Sequence, residues 1–116
     1  MGSAITVRQT ITGALTTTDQ ASPQNSERYA DFHRLTLTAT TDVTIDLKSR
    51  AFDAYLYLTY PTGAIVSNDD VDAEGNSRLT LTLAAGTYTL QVTSAIDDET
   101  GAYSLSIKQA LTIGLL

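Results

Sequence analysis

The residues with the clearest chemical potential are carboxylates. Asp70, Asp72 and Glu74 stand at alternate positions, with Asp69 before them and Gly75 after. Carboxylates at this spacing converge when a loop curls around a divalent cation, and glycine at the sixth position permits the sharp turn of a calcium loop. The pattern breaks at its twelfth position, where Leu81 stands in an apolar run instead of a bidentate Glu. The run is therefore not an EF-hand. Its spacing leaves two readings open, a calcium site or an acidic turn in solvent. A second cluster, Asp97-Asp98-Glu99, reads as a solvated turn, and Asp53, between apolar neighbours, reads as an anchor for a nearby loop, with a metal ligand as the alternative.

Catalytic chemistry has little to work with. His33 is the only histidine and there is no cysteine, so thiol nucleophiles, thiolate metal sites and disulfides are excluded. His33 shares an apolar strand face with Leu35 and Leu37, where a structural role is expected. No Gly-x-Ser-x-Gly elbow or His-Glu-x-x-His helix accompanies it. The chain is expected not to be an enzyme. Tyr55 and Tyr57 point away from the face of Leu56 and Leu58 and are the candidate ligand-binding residues. Paired tyrosines give a large contact area at low entropic cost. The alternative is that they pack against a strand or domain beside them.

These residues need elements to hold them, and the pattern of those elements is clear. Apolar and polar residues alternate with period two almost throughout. Val43, Ile45 and Leu47 alternate with Thr44, Asp46 and Lys48. Phe52, Ala54, Leu56, Leu58 and Tyr60 share one face, and Leu79, Leu81 and Leu83 another. Tyr88, Leu90 and Val92, then Tyr103, Leu105 and Ile107, complete the set. Ile5–Val7 and Ile11–Leu15 open the series as one continued strand or two side by side, and Thr16–Arg28 reads as a long polar loop. Twenty threonines suit half-wet strands. About eight strands separated by short turns predict an all-β, antiparallel sandwich or barrel. The expected organisation is residues 1–4 as a leader or cloning remnant, 5–109 as the sandwich, and 110–116 as an apolar tail or edge strand.

Composition narrows the partners. The chain has 116 residues and a net charge of −6, with only seven Lys and Arg and no basic run. Nucleic acid and anionic membranes are therefore poor partners, since both require a cationic patch. No apolar run reaches the roughly 20 residues of a membrane span, and Met1–Ala4 lacks the features of a signal peptide. A monomer is expected.

Several motifs occur in a characteristic order. Ser49-Arg50-Ala51-Phe52-Asp53-Ala54-Tyr55-Leu56-Tyr57-Leu58 is followed by Gly63 and Asn68-Asp69-Asp70. Ser77-Arg78-Leu79, Ala85-Gly86-Thr87-Tyr88 and Gly101-Ala102-Tyr103-Ser104-Leu105 come next, while Gly13-Ala14-Leu15 and Asp31-Phe32-His33-Arg34-Leu35 lie upstream. In this order the chain resembles the bacterial pre-peptidase C-terminal domain family over nearly its whole length. The resemblance implies a jelly-roll-like sandwich attached to secreted peptidases and other exported proteins. It implies an accessory role in secretion, folding or substrate attachment, with the parent's catalytic domain as partner and a secreted or extracellular location. The similar collagen-binding domains of bacterial collagenases bind calcium near an N-terminal linker. The linker's Glu-Pro-Asn-Asp-like run is absent here, but Asp19 and Asp31 resemble the acidic positions that follow it. The alternative function is an adhesion domain that recognises collagen-like or carbohydrate ligands through Tyr55 and Tyr57.

Overall fold

A computed structural model describes residues 2–5, 8–68 and 76–109. Two sheets face each other. One contains β1 (Gly2–Ile5), β3 (Gln20–Ser22), β4 (Asn25–Leu37), β6 (Ala54–Thr59), β7 (Ile65–Asn68) and β9 (Gly86–Ser94). Its order is β1-β4-β9-β6-β7, with β3 pairing β4 off that path. The other sheet contains β2 (Thr10–Leu15), β5 (Thr41–Lys48), β8 (Ser77–Leu83) and β10 (Gly101–Gln109), in the order β2-β10-β5-β8. Every pairing is antiparallel except that of β1 with β4, which is parallel. No described residue is helical.

The alternation read from the sequence places the core. Leu56 and Leu58 of β6, Leu90 and Val92 of β9, and Leu105 and Ile107 of β10 are fully buried. They pack with Val43, Ile45 and Leu47 of β5 between the sheets. Of the side chains expected inward, Leu81 is only half-buried, near the edge of its sheet. Each fully buried aliphatic side chain contributes about 1.5–3 kcal/mol through removal from water, so the inner faces carry the stability of the domain.

Three features differ from the sequence reading. The described residues form ten strands rather than about eight. Thr16–Arg28 is not one loop, because it holds β3 and the start of the 13-residue β4. Most of their side chains are exposed or half-buried, so no apolar alternation marks them. Finally, the first two strands neither continue nor pair with each other: β1 joins β4 and β2 joins β10. The chain changes sheets before β2, where Arg8 adopts a φ of 69°. The Arg8 amide donates to the Ile107 carbonyl at 2.7 Å, and the Ile107 amide to Gln9 at 3.0 Å.

The long loop after β5 is fastened by Ser49. Its hydroxyl donates to the Ala102 carbonyl at 2.7 Å and accepts from the amides of Ala51 and Phe52 at 3.0 and 3.2 Å. Gly101, at φ 136°, lies under this loop, where an added Cβ would come within 2.2 Å of the Ala51 Cβ. A side chain there would meet both an unfavourable backbone conformation and a filled space. The Ser49–Asp53 and Gly101–Tyr103 motifs are thus two halves of one loop-on-strand contact.

Candidate functional site

Tyr103 points inward from β10, directly opposite Gly13 of β2. Its ring lies over that glycine, since a Cβ on Gly13 would fall 2.7 Å from the Tyr103 hydroxyl oxygen. The ring then crosses to the facing sheet. Its hydroxyl donates to Asp31 Oδ2 at 2.8 Å and meets His33 Nε2 at 3.0 Å, both on β4. The hydroxyl has one proton and gives it to Asp31, so Nε2–H of His33 is the donor to the tyrosine oxygen. The rings of His33 and Phe52 stand edge-on to Tyr103, with centroids 6.2 and 6.3 Å away. Gly13→Ala is expected to cost about 1–3 kcal/mol by overpacking this spot, which a chemical denaturation curve would measure.

Electrostatics follow from this burial. Desolvation raises the Asp31 carboxyl to about 6, the Tyr103 bond opposes the rise, and the neighbouring Asp19 carboxyl adds to it. Burial lowers the pKa of His33, which keeps the imidazole neutral. The Tyr103 hydroxyl is raised by burial first and by Asp31 second. Asp19 is aimed by its own turn between β2 and β3, where its Oδ2 accepts from the Thr16 amide at 2.8 Å. The result is an Asp31–Tyr103–His33 chain that joins the two sheets, with the Asp19 carboxyl beside it. His33 shares a face with Leu35 and Leu37 as expected, and it serves here as a buried polar strut.

The second feature lies on the outer face of the larger sheet. Tyr55 and Tyr57 of β6 stack with centroids 4.8 Å apart and planes 6° from parallel. Both are half-buried. They lie across from Thr93 and Gln91 of β9, whose side chains are almost wholly covered although they face outward. Ser22 donates to Gln91 Oε1 at 2.5 Å, Gln91 donates to Gln24 at 2.7 Å, and Thr93 donates to the Tyr29 carbonyl at 2.7 Å. The sheet therefore has no fully wet outer face at β9, because the β3–β4 segment covers it. The tyrosines form the open border of that pinned layer. Burial raises the Tyr57 hydroxyl pKa, and Tyr55 adds to the rise.

The remaining expected sites are placed as follows. Asp19 and Asp31 are brought together. Asp69, Asp70, Asp72 and Glu74 lie outside the described residues. No group of three or more His, Asp or Glu stands together among the described residues as a metal cluster. The 97–99 turn is not merely solvated: Asp97 pairs with Arg28 at 3.1 Å, and Glu99 accepts from the Asp53 amide at 3.0 Å. The Ala95 amide donates to the Asp53 carbonyl at 2.8 Å, so Asp53 anchors this turn through its backbone. Sequence reading missed Tyr103. Its inward position was legible, but its partners are some 70 positions away.

Comparison with known proteins agrees with this architecture. The pre-peptidase C-terminal domain of the collagenase from Bacillus anthracis superposes with a TM-score of 0.71 at 16% identity, covering 93% of this chain and 95% of that one. PliG of Aeromonas hydrophila, a periplasmic inhibitor of g-type lysozyme, gives 0.57 at 18% identity, with 95% and 100% covered. The Salmonella Typhimurium PliG gives 0.57 at 16% identity, with the same coverage. At these identities the likeness shows the fold. No curated protein sequence matches the chain. The family model described as "Bacterial pre-peptidase C-terminal domain" matches residues 29–94, more than half of the chain and the stretch that carries Asp31, His33 and the tyrosine pair. This chain belongs to the bacterial pre-peptidase C-terminal domain family.

Proposed function

We propose that this domain is a non-catalytic accessory module of an exported protein, and that it works by attachment, keeping a parent catalytic domain near its substrate. The observation that carries this reading is the division of labour among its polar residues. His33, Tyr103 and Asp31 are tied to one another between the sheets, while the stacked Tyr55 and Tyr57 face outward on a pinned sheet. Family membership and the collagenase domain among the structural neighbours support the accessory role and the exported setting.

The contact surface in this reading is the tyrosine pair, and its ligand is a polymer with stackable or ring-bearing groups, collagen-like or carbohydrate. The test is retention of the isolated domain on collagen fibrils, cellulose and chitin. Tyr55→Ala and Tyr57→Ala are each expected to weaken retention by more than about fivefold, corresponding to about 1 kcal/mol or more, with an unchanged melting curve. Retention that survives both changes would exclude this face as the contact. Loss of folding in both variants would show that the pair serves the fold.

Calcium is part of the proposal. Two carboxyls, Asp19 and Asp31, are near enough for Asp19 to help raise the Asp31 pKa, which suits either one shared proton or one shared cation. A calcium shell of six or more oxygens would be completed by carbonyls, water or further carboxylates. A site with a dissociation constant of about 10 μM, at about 1 mM free calcium, would stabilise the fold by roughly 2.7 kcal/mol. That corresponds to a melting shift on the order of ten degrees. The shift should appear in calcium against chelator. It should vanish in Asp19→Asn and Asp31→Asn if this pair binds, and in Asp70→Asn and Asp72→Asn if the 69–74 run binds. Identical melts in calcium and chelator would remove calcium from the account.

A further inference from the structure

An open groove of about 990 Å3 lies at one end of the smaller sheet, on the side away from the core. Its walls include Thr12, Lys48, Arg50, Asn76 and Ser104. The pairing registers explain the assembly. Ser104 of β10 stands between Thr12 of β2 and Lys48 of β5, so three outward side chains form one row across three strands. Ser49 is buried and bonded to Ala102, which pulls the loop over Gly101. Lys48 and Arg50, on either side of that buried serine, are left exposed on the groove.

The charge of this groove is opposite to that of the molecule. The chain carries −6 overall, yet Lys48, Arg50, Arg78 and Lys108, four of its seven cations, lie on or beside this sheet face. Arg78 is engaged with Asp46 at 2.6 Å. Neither Lys48 nor Arg50 forms an ion pair with any of the nine carboxylates among the described residues. Two cations held two positions apart, beside hydroxyl and amide side chains, present donors to an incoming anion.

We infer that the Lys48–Arg50 groove binds an acidic polypeptide segment that carries neighbouring carboxylates. Lys48 closes β5 and Arg50 stands in the bend that follows it, so a partner segment with neighbouring carboxylates can meet both cations. The guanidinium of Arg50 suits a bidentate carboxylate and the ammonium of Lys48 a second, singly contacted one. A sugar polymer fits less well. The only aromatic ring lining the groove is Tyr103, which is 4% exposed and turned into the core, so there is no platform on which a sugar ring could stack. The site lies on the opposite sheet from the tyrosine pair and is independent of the attachment reading.

The test uses the folded chain and a fluorescein-labelled peptide alternating Ala and Glu, read by fluorescence anisotropy at low and high salt. An Ala-Gln peptide is the uncharged control. Lys48→Gln and Arg50→Gln are each expected to weaken binding about threefold, and the double variant about tenfold, the scale of exposed charge pairs at a partly enclosed site. Lys108→Gln, on the same outer face but outside the groove, should change it by less than about twofold. All four variants are at exposed positions and should melt like the parent. Three results would overturn the proposal. One is no binding of the Glu peptide at low salt, or equal binding of the Gln peptide. Another is an equal loss in Lys108→Gln, which would mean a diffuse field and no site. The third is binding of polygalacturonate in preference to the peptide, or self-association of the chain that is lost in the double variant. Either would give the groove a different occupant.

Discussion

Leu56→Ala is expected to destabilise the domain by about 2–5 kcal/mol, a large share of what holds a domain of this size together. Leu56 is fully buried on β6, in a sheet whose inner face packs against β5 and β10. Removing its branched end takes away apolar contacts and leaves a cavity that neighbours from two sheets can close only partly. Leu90, opposite Leu58 on β9, should behave in the same way. Thr80→Ala provides the comparison. Thr80 faces outward on β8 and is exposed, and its replacement should change stability by no more than about 0.5 kcal/mol. Urea denaturation separates the two classes, and equal costs at inward and outward positions would mean that the strand faces are wrongly assigned.

Tyr103→Phe is expected to cost about 2–4 kcal/mol, although it removes a single oxygen. The ring and its packing on Phe52 and Gly13 remain. What is lost is the donor to Asp31 and the acceptor for His33, so two groups facing the core lose a partner at once. An unsatisfied buried polar group costs about 1–3 kcal/mol, and a charged one more. Tyr88→Phe is the control, because its hydroxyl reaches the carbonyl of the exposed Ala84 and its loss should cost about 0.5–1.5 kcal/mol. The pH dependence has a definite sign. The Asp31 carboxyl titrates at about 6 in the fold and near 3.8 outside it. Between these values the folded state keeps a proton that the unfolded chain has released, so stability from this group falls as pH rises through about 4 to 6. The Tyr103 bond opposes the raised value, so in Tyr103→Phe the fall should extend to higher pH.

Local patterning shows what a single sequence reveals about this fold. Period-two alternation identified the inner faces of β5, β6, β9 and β10, because a strand with one dry face must alternate. It did not reveal β3 or the start of β4, where burial follows no such pattern. Nor could it assign β1 and β2 to different sheets, since alternation defines a strand but not its neighbour. The tyrosine pair was legible, as the parity of β6 sends Tyr55 and Tyr57 to the face opposite Leu56 and Leu58. The pinned layer beside it was not, because Gln91 gains its partners from Ser22 and Gln24 across the sheet. The strut and the cationic groove were hidden for the same reason. Each is assembled from residues that meet only after the sheets have formed.

The central claim is that this domain supports another protein's chemistry and performs none of its own, with its lone histidine spent on holding the sheets together. The direct measurement is a comparison of the parent chain with His33→Phe in two assays run on the same samples, a thermal melt and hydrolysis of casein and a nitrophenyl ester. The account predicts a lower melting temperature for His33→Phe, because Tyr103 loses the donor that faces it, and no turnover above background in either protein. Turnover by the parent chain that disappears in a folded His33→Phe variant would contradict it.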